Sequence, residues 1–170
     1  MSEAGERTGV VRYIVGDATA PAGDGPRVIA HVCNDVGAWG RGFVVPLGRR
    51  YPVARERFRD WYAGRDVAAP PFGLGGAQLV PVGPQLWVAN LVGQHKLKAV
   101  GRVPPVRYEA IREALTRLAG FAAERGATVH MPRIGCGLAG GTWERVGPIV
   151  EATLAAAGVD VTVYDLPRAS

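Results

Sequence analysis

The chain has 170 residues, 48% of them apolar, which is enough for one compact domain with a substantial hydrophobic core. Its two cysteines have neither CxxC nor Cys/His spacing, which excludes a disulfide scaffold and a structural zinc site and favours a reducing compartment. The N-terminal residues contain no apolar signal segment, and no run approaches the length of a membrane span. We therefore expect a cytoplasmic protein that makes no membrane contact.

The formal net charge of +5 is compatible with nucleic acid or with a smaller polyanion as partner. The basic residues are dispersed, however, and no nucleic-acid motif is present. Acidic residues are interleaved with arginines in one helical segment, which predicts a solvated face. These arginines are Arg49, Arg50, Arg55, Arg57 and Arg59.

Hydrophobic patterning divides the chain into alternating strands and helices. Apolar, β-branched runs predict strands at residues 10–15, 27–32, 77–82, 86–91, 128–132 and 159–164. Helices are predicted at residues 43–62, with a break at 51–52, at 106–125 and at 142–157. Thr142 is a suitable N-cap, and Gly126 and Gly158 fit the C-terminal stops. This alternation predicts a three-layer α/β/α domain with a mostly parallel sheet.

The stretch 131–143 combines the end of a strand, a glycine-rich loop and the start of a helix. Gly135, Gly137, Gly140 and Gly141 allow positive φ angles and bring backbone N–H groups close to a ligand. The following helix adds a positive dipole end, so the loop is typical of a phosphate site. An ordinary strand-to-helix turn is the alternative.

Other polar residues also follow predicted strands. They are Asp17, Asn34 with Asp35, and Gln94 with His95. Ligands of open α/β sheets bind beyond the carboxyl ends of the strands, so we expect these residues and the glycine loop to share one edge.

Four landmarks in this order resemble those of a macrodomain. They are Gly16-Asp17-Ala18, the stretch 31–35 leading into 39–43, the loop 132–138, and the final strand 161–166. The chain is most similar to the branch that contains the terminal ADP-ribose protein glycohydrolase. The resemblance implies a three-layer α/β/α macrodomain fold with a mixed, mostly parallel central sheet. It also implies a single macrodomain over residues 1–170, with a flexible N-terminus at 1–8.

The same resemblance implies ADP-ribose as the ligand, with neither a metal nor another cofactor. Asp17 would accept a hydrogen bond from the adenine amino group, the Ala18 N–H would serve the ring, and Tyr164 would lie against the adenine. The residues alone leave open that Asp17 caps a turn and that Tyr164 only packs. Further binding residues implied are Trp39, Gly40, Arg41, Gly42, Phe43, His95, Ile134, Gly135, Cys136, Gly137, Leu138 and Ala139, with Trp39 and Arg41 shaping the mouth.

Hydrolytic members of the branch use a lysine and an aspartate where this chain has Gln94 and Ala139. An amide is no nucleophile and a methyl group transfers no proton, so a water-based mechanism is expected. The catalytic candidates are Asn34, which matches an asparagine at the distal ribose, Asp35, which would orient or deprotonate water, and Gln94. Asp35 as an Asx turn is the structural alternative.

The expected function is hydrolysis of ADP-ribose from modified proteins, in particular from glutamate or aspartate esters. The alternatives are a non-catalytic ADP-ribose reader and a hydrolase of the 1″-phosphate or O-acetyl ester of ADP-ribose. Expected partners are ADP-ribose and mono-ADP-ribosylated proteins, with nucleic acid only as an ADP-ribosylated substrate. The protein is expected to be a monomer.

The cysteines and two of the histidines are weaker candidates for functional residues, as nucleophiles and metal ligands respectively. Cys33 and Cys136 each follow an apolar run without an adjacent base, which favours small packing residues over nucleophiles. His31 and His130 alternate into apolar strands, so we interpret them as core histidines with satisfied hydrogen bonds rather than metal ligands.

Overall fold

The fold was analysed in a computed structural model that describes residues 7–167. Six strands and four α-helices follow one another along the chain. They are β1 (Val11–Val15), β2 (Arg27–Asn34), α1 (Val44–Arg50), α2 (Pro52–Tyr62), β3 (Ala77–Gly83), β4 (Leu86–Gln94), α3 (Tyr108–Arg125), β5 (Thr128–Met131), α4 (Trp143–Thr153) and β6 (Val161–Asp165). Residues 1–6 of the predicted flexible N-terminus lie outside the described residues.

The strands form one sheet in the order β1-β6-β5-β2-β4-β3. All neighbours are parallel except β3 and β4, which form an antiparallel hairpin. The predicted mixed, mostly parallel sheet is confirmed.

Each face of the sheet is covered by its own helix pair, which gives three layers. On one face, α3 and α4 bury a large aliphatic core. The apolar stripe of α3 is fully buried there and consists of Ile111, Leu115, Leu118 and Ala122. On the other face, α1 and α2 enclose an aromatic core around Phe58. The residue that follows α3, Gly126, is left-handed with φ of 63°, as its predicted role in ending the helix requires.

The element boundaries differ from the prediction at positions that matter for the site. Strands β2 and β4 run on to Asn34 and Gln94, which pair with each other across a register shift after Cys33. Helix α4 ends at Thr153, and a short 3₁₀ turn completes the predicted helix. Thr142 precedes α4 as predicted, but its side chain makes no capping hydrogen bond.

Both strand histidines are buried and hydrogen-bonded, as predicted. His31 bonds to Asn90, and His130 bonds to Thr128 and to the Tyr164 hydroxyl. Burial lowers the pKa of His31 to about 4 against the opposing effect of its Asn90 bond. Burial, reinforced by the charge of Arg27, likewise lowers the pKa of His130 to about 4.

These two histidines predict a pH dependence of stability. Between about pH 6.5 and pH 4 the unfolded chain binds protons that the folded chain excludes, so the free energy of unfolding falls as pH falls. Each histidine contributes up to about 1.4 kcal/mol per pH unit in this window. Urea denaturation at about pH 7 and pH 5 measures the slope, and His130→Gln should remove about half of it. A slope unchanged by this substitution would contradict the assignment.

Candidate functional site

A cavity of about 370 Å³ lies at the carboxyl ends of β2, β4 and β5. Three parts of the chain form its wall: the two strand ends with His31, Val32 and Gln94, the segment Arg41–Val44, and the loop 132–139. These loops therefore lie together at one edge of the sheet, as predicted.

The loop after β5 folds upon itself through its backbone. Gly135 and Gly140 have φ of 72° and 79°, whereas Gly137 and Gly141 of the same glycine-rich loop do not have positive φ. The Gly141 N–H donates to the Gly135 carbonyl at 2.8 Å, and a Cβ at Gly141 would lie 2.5 Å from that oxygen. The turn closes only because position 141 has no side chain.

The loop after β2 is held by the Asn34 side chain. Its Oδ1 accepts the N–H groups of Val36 and Ala38, and its Nδ2 donates to the Ala38 carbonyl. The loop then leads to Gly42, where a Cβ would lie 3.5 Å from a Leu138 methyl group. The two loops thus meet, although more than ninety residues separate them in the sequence.

Asp35 and His95 form a hydrogen-bonded pair beside the cavity. Asp35 Oδ2 lies 2.6 Å from His95 Nδ1, and Asp35 Oδ1 accepts the Lys96 N–H at 2.8 Å. Burial acts to raise the pKa of Asp35, but the hydrogen bonds from Lys96 and His95 outweigh it, and the pKa lies below its usual value. An ionised Asp35 only accepts, so His95 Nδ1 carries a proton and donates it to this bond.

The wall contains nine of the predicted site residues. They are Arg41, Gly42, Phe43, Gln94, Ile134, Gly135, Gly137, Leu138 and Ala139. The sequence interpretation missed five other residues of the wall, namely His31, Val32, Val44, Pro132 and Arg133. Arg133 is held by Asp165 through bonds of 2.7 and 3.0 Å. Its position just before the glycine loop was the available signal.

The other predicted site residues lie off this wall. They are Asp17, Ala18, Asn34, Asp35, Trp39, Gly40, His95, Cys136 and Tyr164. Trp39 is 9% exposed and packs edge-on against His31, so the prediction that it shapes the mouth is wrong. The large apolar indole is buried in the aromatic core instead.

Asp17 and Tyr164, which were expected to contact adenine, form hydrogen bonds within the protein. Asp17 Oδ1 accepts both the N–H and the hydroxyl of Thr19, which is the turn-capping alternative. Tyr164 is 5% exposed, and its hydroxyl bonds to the Ala22 N–H and to His130. This geometry favours the packing alternative for Tyr164, because little of its ring is open to a ligand.

Neither cysteine has the environment of a nucleophile. Cys33 is buried and Cys136 is half-buried, and burial raises the pKa of both thiols. Among residues 7–167, no group of three or more His, Cys, Asp or Glu side chains is placed to hold a metal ion. In the same part of the chain, no helix combines the length and apolar character needed to cross a membrane.

Fold and site together define an α/β/α protein with a ligand-sized cavity between two glycine-containing loops. No protein-family model matches the chain. A macrodomain protein from Streptomyces coelicolor superimposes with a TM-score of 0.80 at 53% sequence identity, over 91% of this chain and 98% of that chain. The chain therefore belongs to the macrodomain family, as its sequence landmarks predicted.

Two curated relatives extend the comparison. A chromodomain-helicase-DNA-binding protein 1-like from Danio rerio is 30% identical over 169 residues, which cover 94% of this chain. The chain spans only 16% of the length of that relative. The ADP-ribose glycohydrolase OARD1 from Bos taurus is 40% identical over 60 residues, or 35% of this chain and 40% of that protein.

The glycine loop offers a matched pair of substitutions. Gly141→Ala forces the backbone of the loop apart and should lower the free energy of unfolding by about 1–3 kcal/mol. Gly137→Ala meets nothing within 4 Å and does not have positive φ, so its effect should stay within about 0.5 kcal/mol. Urea denaturation of both variants tests the loop geometry. Equal stabilities would contradict it.

Proposed function

We propose that the protein binds ADP-ribose in the cavity, with the diphosphate held by the two loops. The observation that carries this proposal is their convergence, because it places two stretches of glycine-rich backbone around one space of suitable size. Membership of the macrodomain family supports the choice of ligand.

The charges around the cavity suit an anion. Arg41 and Arg133 contribute to the wall, and no carboxylate among residues 7–167 does. Asp165 neutralises part of the Arg133 charge but also fixes the guanidinium. Backbone N–H groups and the remaining positive charge therefore favour a diphosphate.

We further propose that the protein hydrolyses ADP-ribose from glutamate or aspartate esters. A relative named ADP-ribose glycohydrolase supports the reaction class. Gln94 forms part of the wall, but its amide donates to the Lys96 carbonyl and is not a nucleophile. Ala139 supplies only a methyl group. The attacking group is therefore water.

The hydrogen-bonded pair of Asp35 and His95, next to Gln94, supplies the base for this reaction. With Nδ1 protonated toward Asp35, His95 Nε2 has a free lone pair that accepts a proton from water. The hydroxide equivalent adds at the anomeric carbon, the bond from that carbon to the ester oxygen breaks, and the side-chain carboxylate leaves with the electron pair. Asp35 orients His95 and stabilises the cation that His95 becomes when it takes the proton. Positive charge also develops on the ribose in the transition state.

The missing lysine and aspartate favour a second candidate, a non-catalytic ADP-ribose reader. Both positions that carry reactive groups in the branch are filled here by groups that bind or pack. A reader would keep the loops and the cavity and would show no turnover.

Release of free ADP-ribose distinguishes these candidates. We expect turnover with proteins modified on glutamate or aspartate, and much slower release from arginine- or serine-linked targets, whose leaving groups are more basic. Calorimetric titration with ADP-ribose measures binding separately. Binding without turnover on every target would establish the reader, whereas the absence of binding would overturn both candidates.

Substitution of Asp35 or His95 tests the assignment of the base. His95→Gln and Asp35→Asn should each lower kcat by about 10²-fold or more while the Kd for ADP-ribose changes by less than about threefold. Asp60→Asn is the matched control. It removes a carboxylate of α2 that is paired with Arg65, and it should leave kcat unchanged. Wild-type kcat in His95→Gln would exclude His95 as the base.

A further inference from the structure

A second cavity, of about 360 Å³, lies between helices α1 and α2. Gly48 and Arg49 of α1, Pro52 and Arg55 of α2, and the side chain of Trp39 contribute to its wall. Val44 also contributes to the wall of the cavity at the sheet edge, but the other residues of the two walls differ.

Two buried donors without partners face the same region. Within residues 7–167, Trp39 Nε1 and Arg55 Nε are the only buried side-chain nitrogen or oxygen atoms that lack a hydrogen-bond partner. Both residues belong to the wall of this cavity, and Trp39 is only 9% exposed. Buried polar groups are nearly always paired, so two unpaired donors at one cavity indicate a missing acceptor.

The space in front of the indole nitrogen is open because residue 48 is glycine. A Cβ at Gly48 would lie 2.7 Å from Trp39 Nε1, and its next nearest neighbours, 3.6 Å away, belong to the same indole ring. A side chain at position 48 would therefore cover the indole N–H, whereas glycine leaves it open to an acceptor in the cavity.

The charges around the cavity specify an anionic acceptor. Arg49 and Arg55 are the charged residues of its wall, and none of the wall residues is acidic. Helix α2 begins here at Pro52, and its N-terminus has neither a side-chain cap nor an acidic residue in the first turn. The helix dipole therefore adds to the positive potential. The predicted solvated face is wrong for Arg55, whose Nε is buried.

The geometry points to a second, oxyanion-binding site between α1 and α2, at which Trp39 Nε1–H and the Arg55 guanidinium donate to a phosphate or carboxylate group. The guanidinium can donate to two oxygens of either group. The neutral indole N–H donates a further hydrogen bond, which orients the anion. Arg49 adds charge at the rim. The site needs no property of the first cavity, so it stands independently of the proposed hydrolysis.

The indole N–H of Trp39 reports directly on this site. In ¹⁵N-labelled protein, Trp39→Phe identifies its resonance, which is then followed during titration with inorganic phosphate and, in parallel, with acetate at constant ionic strength. We expect a saturable downfield shift with at least one of the two anions. The anion that produces the shift tells whether the site prefers phosphate or carboxylate.

Three variants separate the site from general electrostatics. Arg55→Met should weaken binding about tenfold or more because it removes a charge-assisted donor. Arg50→Met removes the same charge from α1 at a residue outside the wall, and its affinity should stay within about twofold of wild type. Gly48→Ala should abolish the shift because its Cβ, 2.7 Å from Trp39 Nε1, would cover the indole N–H.

The inference is overturned if neither anion shifts the Trp39 resonance, or if Arg50→Met weakens binding as much as Arg55→Met. A full shift in folded Gly48→Ala would also overturn it. If Gly48→Ala fails to fold, the comparison of Arg55→Met with Arg50→Met decides the matter alone.

Discussion

The position of β2 between β5 and β4 is the constraint on which the site depends. All three strands are parallel, so their carboxyl ends stop side by side at one edge of the sheet. The chain that leaves β2 forms one wall of the cavity, and the chain that leaves β5 forms the opposite wall. Strand β4 contributes Gln94 between them. A different strand order would separate these loops even with every local sequence unchanged.

Polar side chains hold the loops beyond the strand ends in shape. Asn34 uses both ends of its amide to bind its own loop, and Asp17 caps the turn after β1. Residues that the family resemblance assigns to the ligand thus first shape the polypeptide. Such loops hold N–H groups in place before any ligand arrives, which lowers the entropy lost on binding.

The sequence predicts the fold well because hydrophobic periodicity and glycine stops are local signals, as the α3 stripe ending at Gly126 illustrates. It also predicts that the loops after β2 and β5 share an edge. It does not predict which side chains point inward, since Trp39 was expected at the mouth of the site and lies in the aromatic core. The pairing of Asp35 with His95 joins residues sixty positions apart. Such contacts depend on tertiary packing, which local sequence patterns do not reveal.

The replacements at Gln94 and Ala139 and the Asp35–His95 pair belong to one chemical argument. The lysine of the resembling enzymes acts as a nucleophile, whereas in the proposed mechanism the imidazole of His95 takes a proton from the attacking water. Asp35 already fixes the tautomer, because its lowered pKa keeps it an acceptor. Gln94 joins the two regions, since its side chain contributes to the wall and its carbonyl accepts the Asp35 N–H at 3.0 Å. In the proposed mechanism, water therefore reaches the ribose from the side of β4, past the position that the lysine occupies in the resembling enzymes.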